Sequence, residues 1–146
     1  MAKQIAIPVV AGMIVREGFI LLTKKISMHP DTNDRWEFPG GKVENHETLE
    51  DAVVREIREE LDLDATVRGL VHAQMNEYSF GRAMVAYYAC APMVSISASG
   101  LGKLIKVEHT LILLNCVHAL RVLPGTNEAV AELMLRSKML DDIQLC

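Results

Sequence analysis

Three glutamates, Glu56, Glu59 and Glu60, fall within the seven residues REIREEL, Arg55 to Leu61. Residues three and four apart on a helix are neighbours at roughly 5–6 Å between Cβ atoms, so the three acids would share one patch. Two readings follow. On an open helix surface each like-charge pair costs a few tenths of a kcal/mol, and the patch is a solvated acidic face. Turned toward the protein body, at an effective dielectric near 20 and about 6 Å, the repulsion is roughly 3 kcal/mol per pair, and the patch requires cations. Hard divalent ions such as Mg²⁺ or Mn²⁺ prefer carboxylate oxygens and keep waters that a phosphate can share.

The element that must carry these acids reads as a helix from about Thr48 to Leu61. Leu49, Val53, Ile57 and Leu61 recur every four residues, Ala52 fills the same side, and Thr48 with Asp51 makes a capping pair. At roughly 100° per residue, Glu60 lies about 40° round from Glu56, within the arc of Leu49, Ala52 and Val53. The acids thus continue the apolar stripe along its own line. Just upstream, Gly40-Gly41 lets the backbone approach a ligand closely; taken alone, a plain turn explains those two glycines equally well.

Taken together the stretch is more specific. Gly41-Lys-Val-Glu-Asn-His-Glu47, seven further residues, then Arg55-Glu56-Ile57-Arg58-Glu59-Glu60-Leu61-Asp62-Leu63 resembles the Nudix box, GX5EX7REUXEEXGU with U aliphatic. One specified position departs: Asp62 stands where the family has glycine, a left-handed position that Asp tolerates at a cost on the order of 1 kcal/mol. The resemblance implies an α/β fold, an α/β/α sandwich with a mixed β-sheet, in a single domain over residues 1–146 with the box at 41–63. It further implies hydrolysis of a nucleoside diphosphate linked to another group, with Mg²⁺, or Mn²⁺, as cofactor. Glu56, Glu59 and Glu60 then look like the metal-binding carboxylates, with the Gly40 carbonyl as a further ligand. Arg55 resembles the arginine that orients the box glutamate, here Glu47, and Lys42 is placed to meet phosphate.

Beyond the box, WEFPGGK (Trp36 to Lys42) and the tail Glu108-His109, a strand, then LPGTNEAV resemble the MutT branch, which cleaves nucleoside triphosphates to monophosphate and pyrophosphate. By that likeness Glu108 is a late catalytic or metal-contacting glutamate, Asn127 bonds the base, Phe38 lines the base pocket and Lys25 meets phosphate. Asn127 reads equally as a helix N-cap, and Phe38 as core. Lys25 replaces the branch's arginine, losing a planar fork that grips phosphate bidentately, and Leu114 stands near the family's tryptophan. The first substrate expected is 8-oxo-dGTP, with CTP, dCTP or a modified cytosine form next.

Charge agrees with a small anion brought in with cations. The net charge of −4 conceals nine acids against two bases between Glu44 and Asp64, leaving ten acids and thirteen bases elsewhere. No basic run offers a duplex a footprint, so stable nucleic-acid binding is not expected. Cys90, Cys116 and Cys146 lack metal spacing and are odd in number, which reads as reduced cytoplasmic thiols. No apolar run reaches membrane-spanning length, and the opening MAKQIAIPVVAGMIV is too short and interrupted for a signal peptide. Either a monomer or a homodimer is compatible.

The remaining chain reads as a hairpin VVAGMIV–Arg16-Glu17-Gly18–FILLT, a polar loop KKISMHPDTNDR and a short WEF element. Strands ATVRGLVHAQ and RAMVAYYAC follow, then a short buried strand LILLNCV and a closing helix from Thr126 or Asn127, its N-cap, to Leu140. That makes strands interleaved with two helices. Two readings from other classes stand beside the enzyme: a non-catalytic Nudix ligand sensor, and an acidic protein-binding helix on an ordinary α/β domain. The first normally loses box acids, and the second leaves Gly41, Glu47 and Arg55 unexplained.

Overall fold

Alternating side chains along the two central strands divide the core into two layers. In the computed structural model, which describes residues 5–139, β1 (Ala6–Arg16) runs parallel to β6 (Gly81–Pro92). Val10 and Ile14 of β1 and Ala86, Tyr88 and Cys90 of β6 face one side. Ala11, Met13 and Val15, with Val85, Tyr87 and Ala89, face the other. Helix α1 (Leu49–Leu61) and helix α2 (Ala98–Leu104) cover the first side, and helix α3 (Thr126–Met139) covers the second. The expected α/β/α sandwich is therefore the architecture found.

The sheet is mixed. Its path is β3 (Arg35–Glu37), β2 (Phe19–Lys25), β1, β6, β5 (Ala65–Tyr78), with β4 (Gly40–Lys42) also on β1 and β7 (His109–Leu113) on the outer edge of β2. All pairings but β1 with β6 are antiparallel. The β1–β2 hairpin turns at Glu17 (φ 53°) and Gly18 (φ 80°), both in the left-handed region that a tight two-residue hairpin needs.

Helix α1 starts and stops where its sequence directs. The Thr48 hydroxyl accepts from the Asp51 amide at 3.1 Å, and Asp62 closes the helix in the left-handed conformation (φ 55°, ψ 38°), its N–H donating to the Arg58 carbonyl. The expected stripe is shorter than four residues long spacing suggested. Ala52, Val53, Ile57 and Leu61 are buried, but Leu49 is 39% exposed. A four-residue spacing drifts by about 40° per step against the 3.6-residue turn, so Leu49 ends roughly 120° from Leu61.

Other expectations are corrected. Helix α2 was not foreseen: its glycines, Gly100 and Gly102, argue against a helix, yet Ser97 caps it and Leu101 is fully buried. LILLNCV is not one buried strand. β7 is half-buried, as an outer edge strand is, and ends at Leu113; Leu114–Ala119 form a turn of 3-10 helix. Neither Thr126 nor Asn127 caps α3, because the Gly125 carbonyl accepts the first helical bond, from Ala129 at 3.0 Å. Leu140, the residues Met1 to Gln4 and Cys146 lie outside the described residues. Among the described residues, no helix is long and apolar enough to cross a membrane.

Candidate active site

The second turn of α1 lies against β4, and that contact brings the box together. Gly41 packs so close to Glu56 that a Cβ there would meet the carboxylate at 2.6–2.8 Å. Gly40 is equally constrained by backbone, since its Cβ would fall 2.0 Å from the Val10 carbonyl oxygen. The glycines permit β4 to pair with β1 at Val10 and Ala11 while the glutamates stand directly above it.

Arg55 organises the acids. Its Nε donates to Glu47 Oε2 at 3.0 Å and its Nη2 to Glu47 Oε1 at 2.7 Å, a two-pronged grip, while Nη2 also donates to the Lys42 carbonyl at 3.0 Å. Its Nη1 donates to Glu56 at 3.0 Å and to Glu59 at 3.2 Å. The hydrogen bonds from Arg55, helped by the Glu44 amide, pull the Glu47 carboxyl down to about 2. The same bonds to Glu47, then Glu56, push the guanidinium above its ordinary value.

Glu60 has a different environment. It is half-buried, and burial together with nearby Glu37 and Glu56 pushes its carboxyl up to about 8, against an opposing hydrogen bond from the Gly40 backbone. Glu37 is itself pushed up to about 7 by burial, with Lys25 opposing. Within the patch that sequence spacing gives the three box acids, their surroundings differ. Glu56 and Glu59 share Arg55, with Glu59 at 57% side-chain exposure against 15% for Glu56, and Glu60 faces Glu37. Among the described residues no group of three acids, histidines or cysteines is already gathered closely enough to hold a metal ion.

Beside these acids opens a cavity of ≈ 190 Å³. Gly40, Gly41, Glu37, Lys25 and Lys42 line its near side, and Phe38, Asn76, Tyr78, Tyr87 and Thr126 its interior. Phe38 and Tyr87 meet edge to face, centroids 6.0 Å apart at 83°, and Tyr78 stacks on Phe80 at 5.1 Å and 4°. Of the residues singled out from sequence, the fold thus brings Lys25, Phe38, Gly40 and Lys42 to the cavity. Two others stand elsewhere. Asn127 is exposed on the first turn of α3 and does not line the cavity; Glu108 is exposed, its carbonyl accepting from the Lys24 amide at 3.1 Å. Glu37, Asn76, Tyr78 and Thr126 were missed. Glu37 lies inside the WEFPGG run, and Asn76 with Gln74 is a pair of amides two apart on one face of a strand, the signals the sequence held.

Residues 6–96 match the NUDIX domain family model. The chain belongs to the Nudix family. Over 73 residues, half of the chain, it is 47% identical to the CTP pyrophosphohydrolase of Escherichia coli (strain K12), covering 53% of that protein. Over 31 residues, 21% of the chain and 28% of the relative, it is 58% identical to the 8-oxo-dGTP diphosphatase of Proteus vulgaris. The matches therefore span about half or less of these curated relatives. Among solved structures, the E. coli ORF135 protein superposes with a TM-score of 0.70 at 27% identity, over 95% of this chain and 96% of that one. The MutT protein of methicillin-resistant Staphylococcus aureus 252 superposes with a TM-score of 0.67 at 31% identity, over 92% and 99%.

Proposed function

We propose that this Nudix chain hydrolyses a phosphoanhydride bond of a nucleoside triphosphate, releasing nucleoside monophosphate and pyrophosphate, with Mg²⁺ or Mn²⁺ as cofactor. One observation carries the reading: an acid cluster oriented by Arg55 adjoins, across the Cβ-free strand Gly40-Gly41, an aromatic-walled cavity large enough to take part of a small ligand. Phosphates and base would thus lie on opposite sides of one glycine pair.

The donor set fits a hard divalent cation. Glu56, Glu59, Glu60 and the Gly40 carbonyl supply oxygen, and Glu60, raised first by burial and then by Glu37 and Glu56, is a carboxyl that a cation would help to ionise. When bound, such a cation offsets phosphate charge and lowers the pKa of a water that attacks phosphorus. The chain's own groups do the rest. Arg55 holds Glu47 and Glu56 in place, Lys25 and Lys42 add positive charge along the cavity wall, and a box glutamate accepts the proton of the attacking water. The roles of Glu108 and Asn127 in this scheme would require them to reach the ligand from exposed positions.

For the base, the 73-residue likeness to a CTP pyrophosphohydrolase favours a cytidine triphosphate over 8-oxo-dGTP, reversing the order expected from the sequence. Replacing Glu60 with Gln separates an enzyme from a ligand sensor. The enzyme loses orders of magnitude in rate while remaining folded; a sensor keeps its ligand and had no turnover to lose.

A further inference from the structure

Thr126 is 2% exposed, lines the cavity, and its hydroxyl has no hydrogen-bond partner among the described residues. It opens α3, where a threonine side chain can readily bond nearby backbone, yet here it does not. A hydroxyl in a cavity wall without a protein partner is available to a ligand, so a ligand group that pairs with it gains affinity.

The position of that hydroxyl is fixed from behind. Asn76 Nδ2 donates to the Pro124 carbonyl at 3.0 Å, and the Tyr87 hydroxyl donates to the same oxygen at 3.3 Å. The Asn76 amide is held in this orientation by Gln74, whose Nε2 donates to Asn76 Oδ1 at 2.6 Å. Gly125, at φ 89°, lets the chain pass, since a Cβ there would lie 2.0 Å from the Tyr87 hydroxyl. Asn76 and Tyr87 thereby both donate to the same backbone oxygen, while Thr126 remains open. Phe38 and Tyr87 add flat apolar walls suited to an aromatic ring.

We propose that the Thr126 hydroxyl hydrogen-bonds the nucleobase and so determines which base is accepted, with Asn76 as its positioning residue. This rests on the nucleoside triphosphate reading above. A hydroxyl both donates and accepts, so it pairs with a ring carbonyl or an exocyclic amine and gains nothing from a bare C–H edge.

The test compares Thr126→Val, which keeps the shape and removes the hydroxyl, with Thr126→Ser, which keeps the hydroxyl. kcat/KM is measured on CTP, dCTP, dGTP and 8-oxo-dGTP, and on ribose 5-triphosphate, which has no base. The valine variant is expected to lose about tenfold or more on the preferred nucleotide and nothing on ribose 5-triphosphate, with serine within about threefold of the parent. An equal loss on the base-free compound, no loss on any nucleotide, or a serine variant that loses base preference overturns the proposal. If the valine variant does not fold, the parent protein is assayed with triphosphates of bases lacking one exocyclic group. At least one such analogue must lose about tenfold, and uniform turnover of all of them overturns the proposal. Turnover of no nucleotide by the parent defeats the nucleotide reading itself, a result distinct from all of these.

Discussion

Arg55 holds the Glu47 carboxylate by two separate nitrogens, Nε at 3.0 Å and Nη2 at 2.7 Å, and no lysine can reproduce that fork. Arg55→Lys is therefore expected to lower kcat about 10- to 100-fold, the usual effect of losing a group that orients metal-binding side chains, with little change in melting temperature. Steady-state kinetics beside a thermal melt checks both halves. A variant with full activity would show that the grip on Glu47 is structural decoration.

The two glycines should fail in different ways. A Cβ at Gly41 first meets the end of the Glu56 side chain, which can swing aside, so Gly41→Ala is expected to fold and to lose activity. A Cβ at Gly40 meets the Val10 backbone oxygen, which cannot yield without breaking the β1–β4 pairing, so Gly40→Ala is expected to lose stability first. Circular dichroism melts and activity assays on both variants distinguish these outcomes.

Acid–base behaviour offers a third check. Burial and the neighbouring Glu37 and Glu56 raise the Glu60 carboxyl from 4.5 to about 8, so the folded chain keeps a proton that the unfolded chain releases. The associated stability is complete below about 4.5 and is lost as pH rises through about 8. Chelator-treated protein is expected to melt at progressively lower temperature across that window. Mg²⁺ should recover the loss most strongly at its alkaline end, because cation and proton compete for the same carboxylate. Glu60→Gln should flatten the slope, and a melt insensitive to both pH and Mg²⁺ would remove Glu60 from the cation site.

Burial pushes the Cys90 thiol up to about 12, whereas Cys116 is half-buried. Alkylation follows the thiolate, so site-resolved mass spectrometry after iodoacetamide at neutral pH should find Cys116 modified and Cys90 protected until the protein unfolds.

The sequence carried the local chemistry well and the long-range arrangement poorly. The Glu17-Gly18 turn, the Thr48 cap and the left-handed Asp62 are each decided by one or two residues, and each stands as expected. Helix α2 escaped notice because its stability comes from burying Leu101 against the sheet, a tertiary gain that outweighs two helical glycines. The cavity escaped for a similar reason. Glu37, Asn76 and Thr126 come from three distant segments, and only the register of β5 on β6 and the Gly125 turn bring the last two together. Helical spacing also could not show that one Arg55 nitrogen would bond both Glu56 and Glu59, because that depends on guanidinium geometry.

The most direct measurement is pyrophosphate release from CTP, dCTP, dGTP, 8-oxo-dGTP and ADP-ribose, with and without Mg²⁺, with the nucleotide product identified in the same reaction. The expected result is Mg²⁺-dependent formation of monophosphate and pyrophosphate from one triphosphate far above the others, abolished by Glu60→Gln. Folded protein that binds Mg²⁺ yet releases no pyrophosphate from any triphosphate would contradict the proposed activity.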